Sequence, residues 1–124
     1  MVRVVVTLTT IPTREDSVIR TIESIQRGTY RVNEIYVNIP DWYPRFGRGP
    51  DPNLGSKLVA MGVKVNSCKD YGSLTKLVPV LDLETDPETL IVVVDDDMTY
   101  QKRVVEGLVR ANEQFKCPVG YSGI

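Results

Sequence analysis

Three consecutive carboxylates, Asp95, Asp96 and Asp97, follow directly on the apolar run Leu90-Ile91-Val92-Val93-Val94, and this junction is the strongest chemical signal in the 124-residue chain. Like charges so close together raise one another's pKa and repel in a partly desolvated cleft. A hard divalent cation removes that cost. Magnesium and its relatives take oxygen ligands, commonly one or two carboxylates together with substrate phosphates and water. The implied chemistry is a metal ion on a bound diphosphate. If strand geometry persisted through the triplet, Asp95 and Asp97 would share one side and Asp96 would face the other. The D-x-D spacing thus pairs two ligands.

The element that must deliver these side chains reads as a strand buried on both faces, as in a parallel sheet covered by helices. In open sheets of that kind ligands gather beyond the carboxyl ends of the strands. The preceding sequence supplies such a sheet. Val2 to Leu8 is nearly continuous Val and Leu and meets Pro12 soon afterwards, a first strand and a loop. Val18, Ile22 and Ile25 then recur at helical spacing, with Thr13 and Asp16 as a weak capping box and Gly28 beyond the end, so a helix is expected over about residues 14–27. Glu34 to Ile39 alternates as a second strand and stops at Pro40-Asp41.

Residues 40–55 are rich in proline and glycine and carry Trp42, Tyr43 and Phe46, which predicts a long loop whose aromatic side chains pack it down. A short helix around Ser56 to Met61 leads to a third strand at Val63 to Cys68. Ser73 to Leu83 carries Leu74, Leu77, Val78 and Leu81 at helical spacing, with Pro79 as a kink. Gln101 to Phe115 has Val104, Val105, Leu108 and Ala111 on one face, and a fifth strand is expected from Val119. Alternating strands and helices predict one α/β domain, a three-layer α/β/α sandwich with a mostly parallel sheet and right-handed crossovers.

Composition narrows the chemistry. Fifteen basic against sixteen acidic residues give a formal charge of -1, so no bulk field favours nucleic acid or an anionic membrane. Apolar runs are too short for a spanning helix, and Val2 to Leu8 lacks the pattern of a signal peptide, which implies no membrane segment and a cytoplasmic location. Cys68 and Cys117 form no C-x-x-C or Cys/His grouping and read as reduced thiols. Histidine is absent, which excludes His-based triads and His metal ligands from this chain. Acid/base work falls to carboxylates, lysine or tyrosine.

The order of these segments resembles the nucleotide-sugar-dependent glycosyltransferases of the GT-A fold, in which a D-x-D motif ends a central strand. The residues that carry the resemblance are Thr7-Leu8-Thr9-Thr10-Ile11-Pro12-Thr13-Arg14, Ile39-Pro40-Asp41, Asp70-Tyr71-Gly72-Ser73-Leu74-Thr75-Lys76 and Val94-Asp95-Asp96-Asp97-Met98-Thr99-Tyr100. It implies a Rossmann-like nucleotide-binding half, a UDP- or GDP-sugar donor, a glycan or glycoprotein acceptor, and Mn2+ or Mg2+ as cofactor. By that analogy Asp97 ligates the metal, Asp95 meets the ribose or a metal-bound water, and Asp96 faces the sugar. Lys76 adds a positive charge at the diphosphate. Thr9, Thr10 and Arg14 hydrogen-bond base and ribose, Asp41 and Asp70 with Gly72 contact the nucleotide, and Tyr71 stacks on the base. The resemblance extends to glycosyltransferase modules of large algal viruses, which glycosylate capsid protein and would work in the host cytoplasm. GT-A domains are usually longer, and the half that supplies acceptor contacts and the catalytic base would begin near Gly120, so the base is not identifiable.

Blander readings stand beside these. Carboxylates after a strand can cap the following helix, Lys76 can be a solvated charge, and Asp70 with Gly72 can simply make a turn. A non-catalytic module that binds nucleotide sugar or carbohydrate is the second choice. Asp95-Asp96-Asp97-Met98-Thr99 also satisfies the D-x-D-x-T pattern of phosphotransferases, but there the motif opens the domain. A nucleotidyltransferase of similar fold would be expected to show a glycine-rich loop after strand one, and Thr9 to Arg14 contains no glycine.

Overall fold

The computed structural model describes residues 2–115. Its strands are β1 (Val4–Thr9), β2 (Glu34–Pro40), β3 (Lys64–Cys68) and β4 (Leu90–Val93), in the spatial order β3-β2-β1-β4. Every pairing is parallel, with Thr9 opposite Asn38, Pro40 opposite Cys68 and Thr7 opposite Val93. All four carboxyl ends therefore meet along one rim. The chain winds outward from β1 through β2 to β3, then returns across the sheet to β4. Winding reverses between β1 and β4, the kind of switch point where open sheets form a ligand crevice.

One face of the sheet carries the main core. Val4, Val6, Leu8, Val37 and Val92 pack there against α1 (Glu15–Gln26), α2 (Pro52–Ala60) and α4 (Val104–Phe115). In α1 the buried apolar residues are Val18, Ile22 and Ile25, the stripe expected from their spacing. The opposite face is thinner. There Val5 and Tyr36 meet Val80 of α3 (Val78–Leu81), and beside them runs a 3-10 turn over Gly72–Lys76.

Several local expectations change for identifiable reasons. Helix α1 follows a 3-10 turn at Pro12–Arg14, and neither element has a side-chain N-cap, so Thr13 does not close a capping box. Glu15 and Asp16 in its first turn complement the positive helix end instead. Helix α2 starts at Pro52 rather than Ser56. The Asp51 side chain accepts from the Asn53 amide at 2.9 Å, and a proline in the first turn forfeits no hydrogen bond. Pro40 closes β2 instead of following it, its missing N–H falling at the strand's end. Between Pro40 and Asp51 the supposed loop is pinned by an antiparallel bridge of Tyr43 with Arg48 and turns at Gly47, φ 62°.

The helix expected over Ser73–Leu83 is broken in two. Leu77, at φ -124° and ψ -51°, departs from helical geometry and separates the 3-10 turn from α3, and Pro79 lies in the first turn of α3 rather than kinking a longer helix. Strand β4 is not buried on both faces. Val92 and Val94 are buried, but Val93 is 40% exposed, because β4 is the edge of the described sheet and the layer over Val93 is sparse. Helix α4 begins at Val104, three residues later than expected. The fifth strand from Val119 and Cys117 lie outside the described residues.

Candidate functional site

A pocket of about 430 Å³ opens at the rim where β1, β2 and β4 end. Thr9, Thr10 and Arg14 come to it from the end of β1 and the segment after it, and Pro40, Tyr43, Arg45 and Phe46 from the end of β2 and the segment after it. Asp70, Gly72 and Lys76 enter from the segment after β3, and Val94, Asp95 and Asp96 from the end of β4. Sequence-distant segments thus converge at the switch point, as the strand order requires.

The triplet does not continue the strand. β4 ends at Val93, and Asp96 and Asp97 lie in a turn. The division of side chains expected from alternation is nevertheless present, since Asp95 and Asp97 are exposed and Asp96 is buried. Its physical origin is a set of side-chain anchors. The Tyr100 hydroxyl accepts the Asp95 amide at 2.9 Å, while the Ser17 and Thr21 hydroxyls donate to the Asp96 carbonyl at 3.1 and 2.9 Å. Thr10 donates to the Asp96 carboxylate at 2.7 Å, and Arg14 approaches its other oxygen at 3.4 Å. Ser24 receives the Tyr100 amide at 3.0 Å. Helix α1 therefore presents Ser17, Thr21 and Ser24 as a hydroxyl stripe that seats the acidic turn. Their i, i+4, i+7 spacing is legible in the sequence, beside the apolar stripe of Val18, Ile22 and Ile25.

Charge at the rim is closely compensated. Asp95 pairs with Lys76 at 3.2 Å, and Arg14 reaches Asp97 at 3.7 Å as well as Asp96. Asp70, Asp95 and Asp96 in the walls face Arg14, Arg45 and Lys76. The outer pairs are about half exposed, so each is weak and readily exchanged for another partner. Arg45 stacks over the Phe46 ring, 4.8 Å from its centroid, and Phe46 meets Tyr43 edge-on at 6.2 Å. Tyr43 is buried and donates to the Thr10 carbonyl at 2.8 Å. Burial holds its pKa above the ordinary tyrosine value, which keeps the hydroxyl a donor. Burial also raises Tyr100; its hydrogen bond with the Asp95 backbone opposes the shift, and the charges of the nearby aspartates add to it.

Of the residues singled out by sequence, Thr9, Thr10, Arg14, Asp70, Gly72, Lys76, Asp95 and Asp96 all line this pocket. Asp97 joins it through Arg14. Asp41 and Tyr71 are not among the walls. Asp41 accepts from Ser67, and Tyr71 is 45% exposed with its amide donating to the Thr75 hydroxyl. Asp96 faces inward onto Thr10 and Arg14, so its carboxylate is occupied by the protein itself. Gly72 sits at φ 64° and its amide donates to Asp70, a conformation that favours glycine. Tyr43, Arg45, Phe46, Ser17, Thr21 and Tyr100 were not anticipated as parts of the site. The packing role expected of the loop's aromatic residues holds for Tyr43, whereas Trp42 is 55% exposed.

The donor set suits a hard divalent cation, with oxygen ligands only and two accessible carboxylates, Asp95 and Asp97. Among the described residues no group of three potential metal ligands is clustered, so phosphate oxygens and water would have to complete the shell. Cys68 is half-buried, and burial together with Asp41 and Asp70 pushes its thiol up to about 11, far from a reactive thiolate. Among the described residues no helix is long and apolar enough to cross a membrane.

No protein-family model and no curated protein matches the sequence. Among solved structures the chain is similar to CMP:2-keto-3-deoxy-manno-octonic acid synthetase complexed with CTP, at 14% identity and a TM-score of 0.68. The match covers 93% of this chain and 49% of the synthetase, so this chain spans about half its length. At that identity the likeness is one of fold. The chain has a Rossmann-like α/β fold built on an all-parallel four-stranded sheet, a broader class than the GT-A glycosyltransferases.

Proposed function

We propose that the rim pocket binds a nucleoside-diphosphate sugar, UDP- or GDP-linked, and that the protein transfers the sugar to a glycan or glycoprotein acceptor. The observation that carries this reading is the convergence at the switch point of Arg14 and Lys76 with the acidic triplet, in a cleft formed by the carboxyl ends of the strands. The walls carry balanced charge, and a diphosphate adds negative charge beside Asp95 and Asp97. A divalent cation, Mn2+ or Mg2+, restores the balance and, when bound, supplies Lewis-acid neutralisation of the diphosphate leaving group. Asp95 and Asp97 are its protein ligands. Arg14 and Lys76 hold the phosphate oxygens, and Thr9 and Thr10 face the nucleoside from the end of β1. Asp96 keeps the acidic turn seated on α1 rather than touching the sugar.

Ligand that binds only the folded protein stabilises it, by about 2.7 kcal/mol at a hundred-fold excess over Kd. UDP or GDP with Mn2+ should therefore raise the melting temperature in a thermal-shift panel, and Asp97→Ala should lose the metal-dependent part of the shift. A flat response to every nucleoside diphosphate and nucleotide sugar, with and without Mn2+, would overturn the proposal. A shift with neither transfer nor hydrolysis would instead identify a binding module.

A second reading is favoured by the structural likeness to a synthetase complexed with CTP. On that reading the pocket takes a nucleoside triphosphate, and pyrophosphate release in the presence of a sugar acid is the measurement that selects it. The loop after β1 argues against this, since Thr9 to Arg14 has no glycine with which to wrap a triphosphate.

A further inference from the structure

Lys76 and Asp70 reach the pocket from a segment with little regular structure of its own, yet its main chain is held from beneath by the sheet. Asn38 of β2 is fully buried. Its side-chain amide donates to the Thr75 carbonyl at 3.0 Å and to the Thr7 hydroxyl at 2.9 Å. Thr7, also fully buried, passes its own proton to the Lys76 carbonyl at 2.8 Å. Asn66 of β3 donates to the Asn38 oxygen at 3.1 Å, which fixes the orientation of the amide. Thr75, 1% exposed, then receives the Tyr71 amide at 2.8 Å and donates toward Asp70 at 3.4 Å. A polar ladder thus crosses β3, β2 and β1 under the thinner layer and grips two successive carbonyls of the 3-10 turn. A fully buried amide and hydroxyl in the middle of a sheet are costly unless satisfied. Here they are satisfied by the segment that bears Lys76.

We infer that Asn38, acting with Thr7, is a positioning residue that sets where Lys76 stands against Asp95 and the bound diphosphate. It touches no ligand; it acts through the carbonyls of Thr75 and Lys76. The inference rests on the nucleotide-sugar reading for its ligand, but the placement of Lys76 can be followed without one. An Asn38→Asp variant keeps the shape and replaces both donors by acceptors, so the Thr75 carbonyl loses its partner. Thr7→Val removes the contact to the Lys76 carbonyl together with the hydroxyl that accepts from Asn38, and leaves the Asn38 bond to the Thr75 carbonyl in place.

The test is a double-mutant cycle on UDP and GDP affinity in the presence of Mn2+, read by calorimetry on proteins whose fold is verified by circular dichroism. Either variant should weaken binding by about ten-fold, the scale of one hydrogen bond to a charged group. In a Lys76→Ala background the same substitutions should change affinity by less than about two-fold, because the group they position is gone. Equal losses in both backgrounds would show a general structural role and overturn the inference, as would unchanged affinity. Acylation of the Lys76 amine, followed by mass spectrometry on the ligand-free protein, is the independent readout. The variants should alter its rate several-fold relative to other lysines, and an unaltered rate overturns the inference. If the parent protein binds no nucleotide while the Lys76 rate still responds, the functional reading fails and the positioning role stands.

Discussion

Asp96 shows how one residue's role is set by what surrounds it. Flanked by two exposed carboxylates it has the same chemistry as they do, yet it is only 5% exposed and is met by Thr10, Arg14 and, at its carbonyl, Ser17 and Thr21. A buried carboxylate that accepts a hydroxyl and a guanidinium is a strong anchor, whereas exposed Asp95 and Asp97 keep weak, exchangeable partners. Asp96→Ala should destabilise the fold by about 1–3 kcal/mol, the cost of leaving buried polar partners unsatisfied. Asp95→Ala should be nearly neutral. Urea denaturation of the two variants distinguishes them, and equal stability losses would contradict the division of roles.

At the scale of elements, the short α3 matters less for its length than for what fastens it. Glu84, just beyond α3, accepts a fork from Arg3 at 2.7 and 3.0 Å and the Tyr36 hydroxyl at 2.5 Å. This joins the return crossing to β1 and β2 at the end of the sheet opposite the pocket. The Arg3 hydrogen bond holds the Glu84 carboxyl below its ordinary value, burial opposes the shift, and Tyr36 adds to it. A lowered carboxylate pKa in the folded state contributes stability that is fully present above the unfolded value, near 4.5, and is lost as pH falls through the folded one. Parent stability should therefore decline below about pH 4.5 more steeply than that of Glu84→Gln, as measured by urea melts across pH. Coincident acid limbs would mean that the clamp is not formed. The same element scale explains why the helix expected over Ser73–Leu83 is broken: Asn38 and Thr7 take up the Thr75 and Lys76 carbonyls that a continuous helix would use.

For the whole molecule, asymmetry between the faces is the governing feature. Among the described residues three helices cover one side of the sheet, and Ile22 in that layer has no exposed surface. Ile22→Ala should cost about 2–5 kcal/mol, seen as a lower urea midpoint with unchanged slope. The opposite side holds a small apolar cluster and the polar ladder, and exposed Leu74, Leu81 and Val93 lie along it. The better-packed face thus supplies stability, and the thinner face bears the segment whose position sets the rim.

The sequence by itself determined the strands, the parallel α/β class and the residues with chemical potential, because period-2 and period-3.6 patterning and a carboxylate triplet are local properties. Most of the candidate residues could be assigned to one rim from sequence, since strand ends in such a sheet must share one edge. Only the tertiary structure decided which of them line the pocket. Asp96 turned inward onto Thr10, 86 residues away, Asp41 was taken up by Ser67, 26 residues away, and Tyr43 entered the walls on the Thr10 carbonyl, 33 residues away. The break at Leu77 was likewise accompanied by long-range contacts to the Thr75 and Lys76 carbonyls, whereas the start of α2 at Pro52 follows from a local cap at Asp51. Side-chain hydrogen bonds between strand-distant segments leave no periodic trace in a single chain.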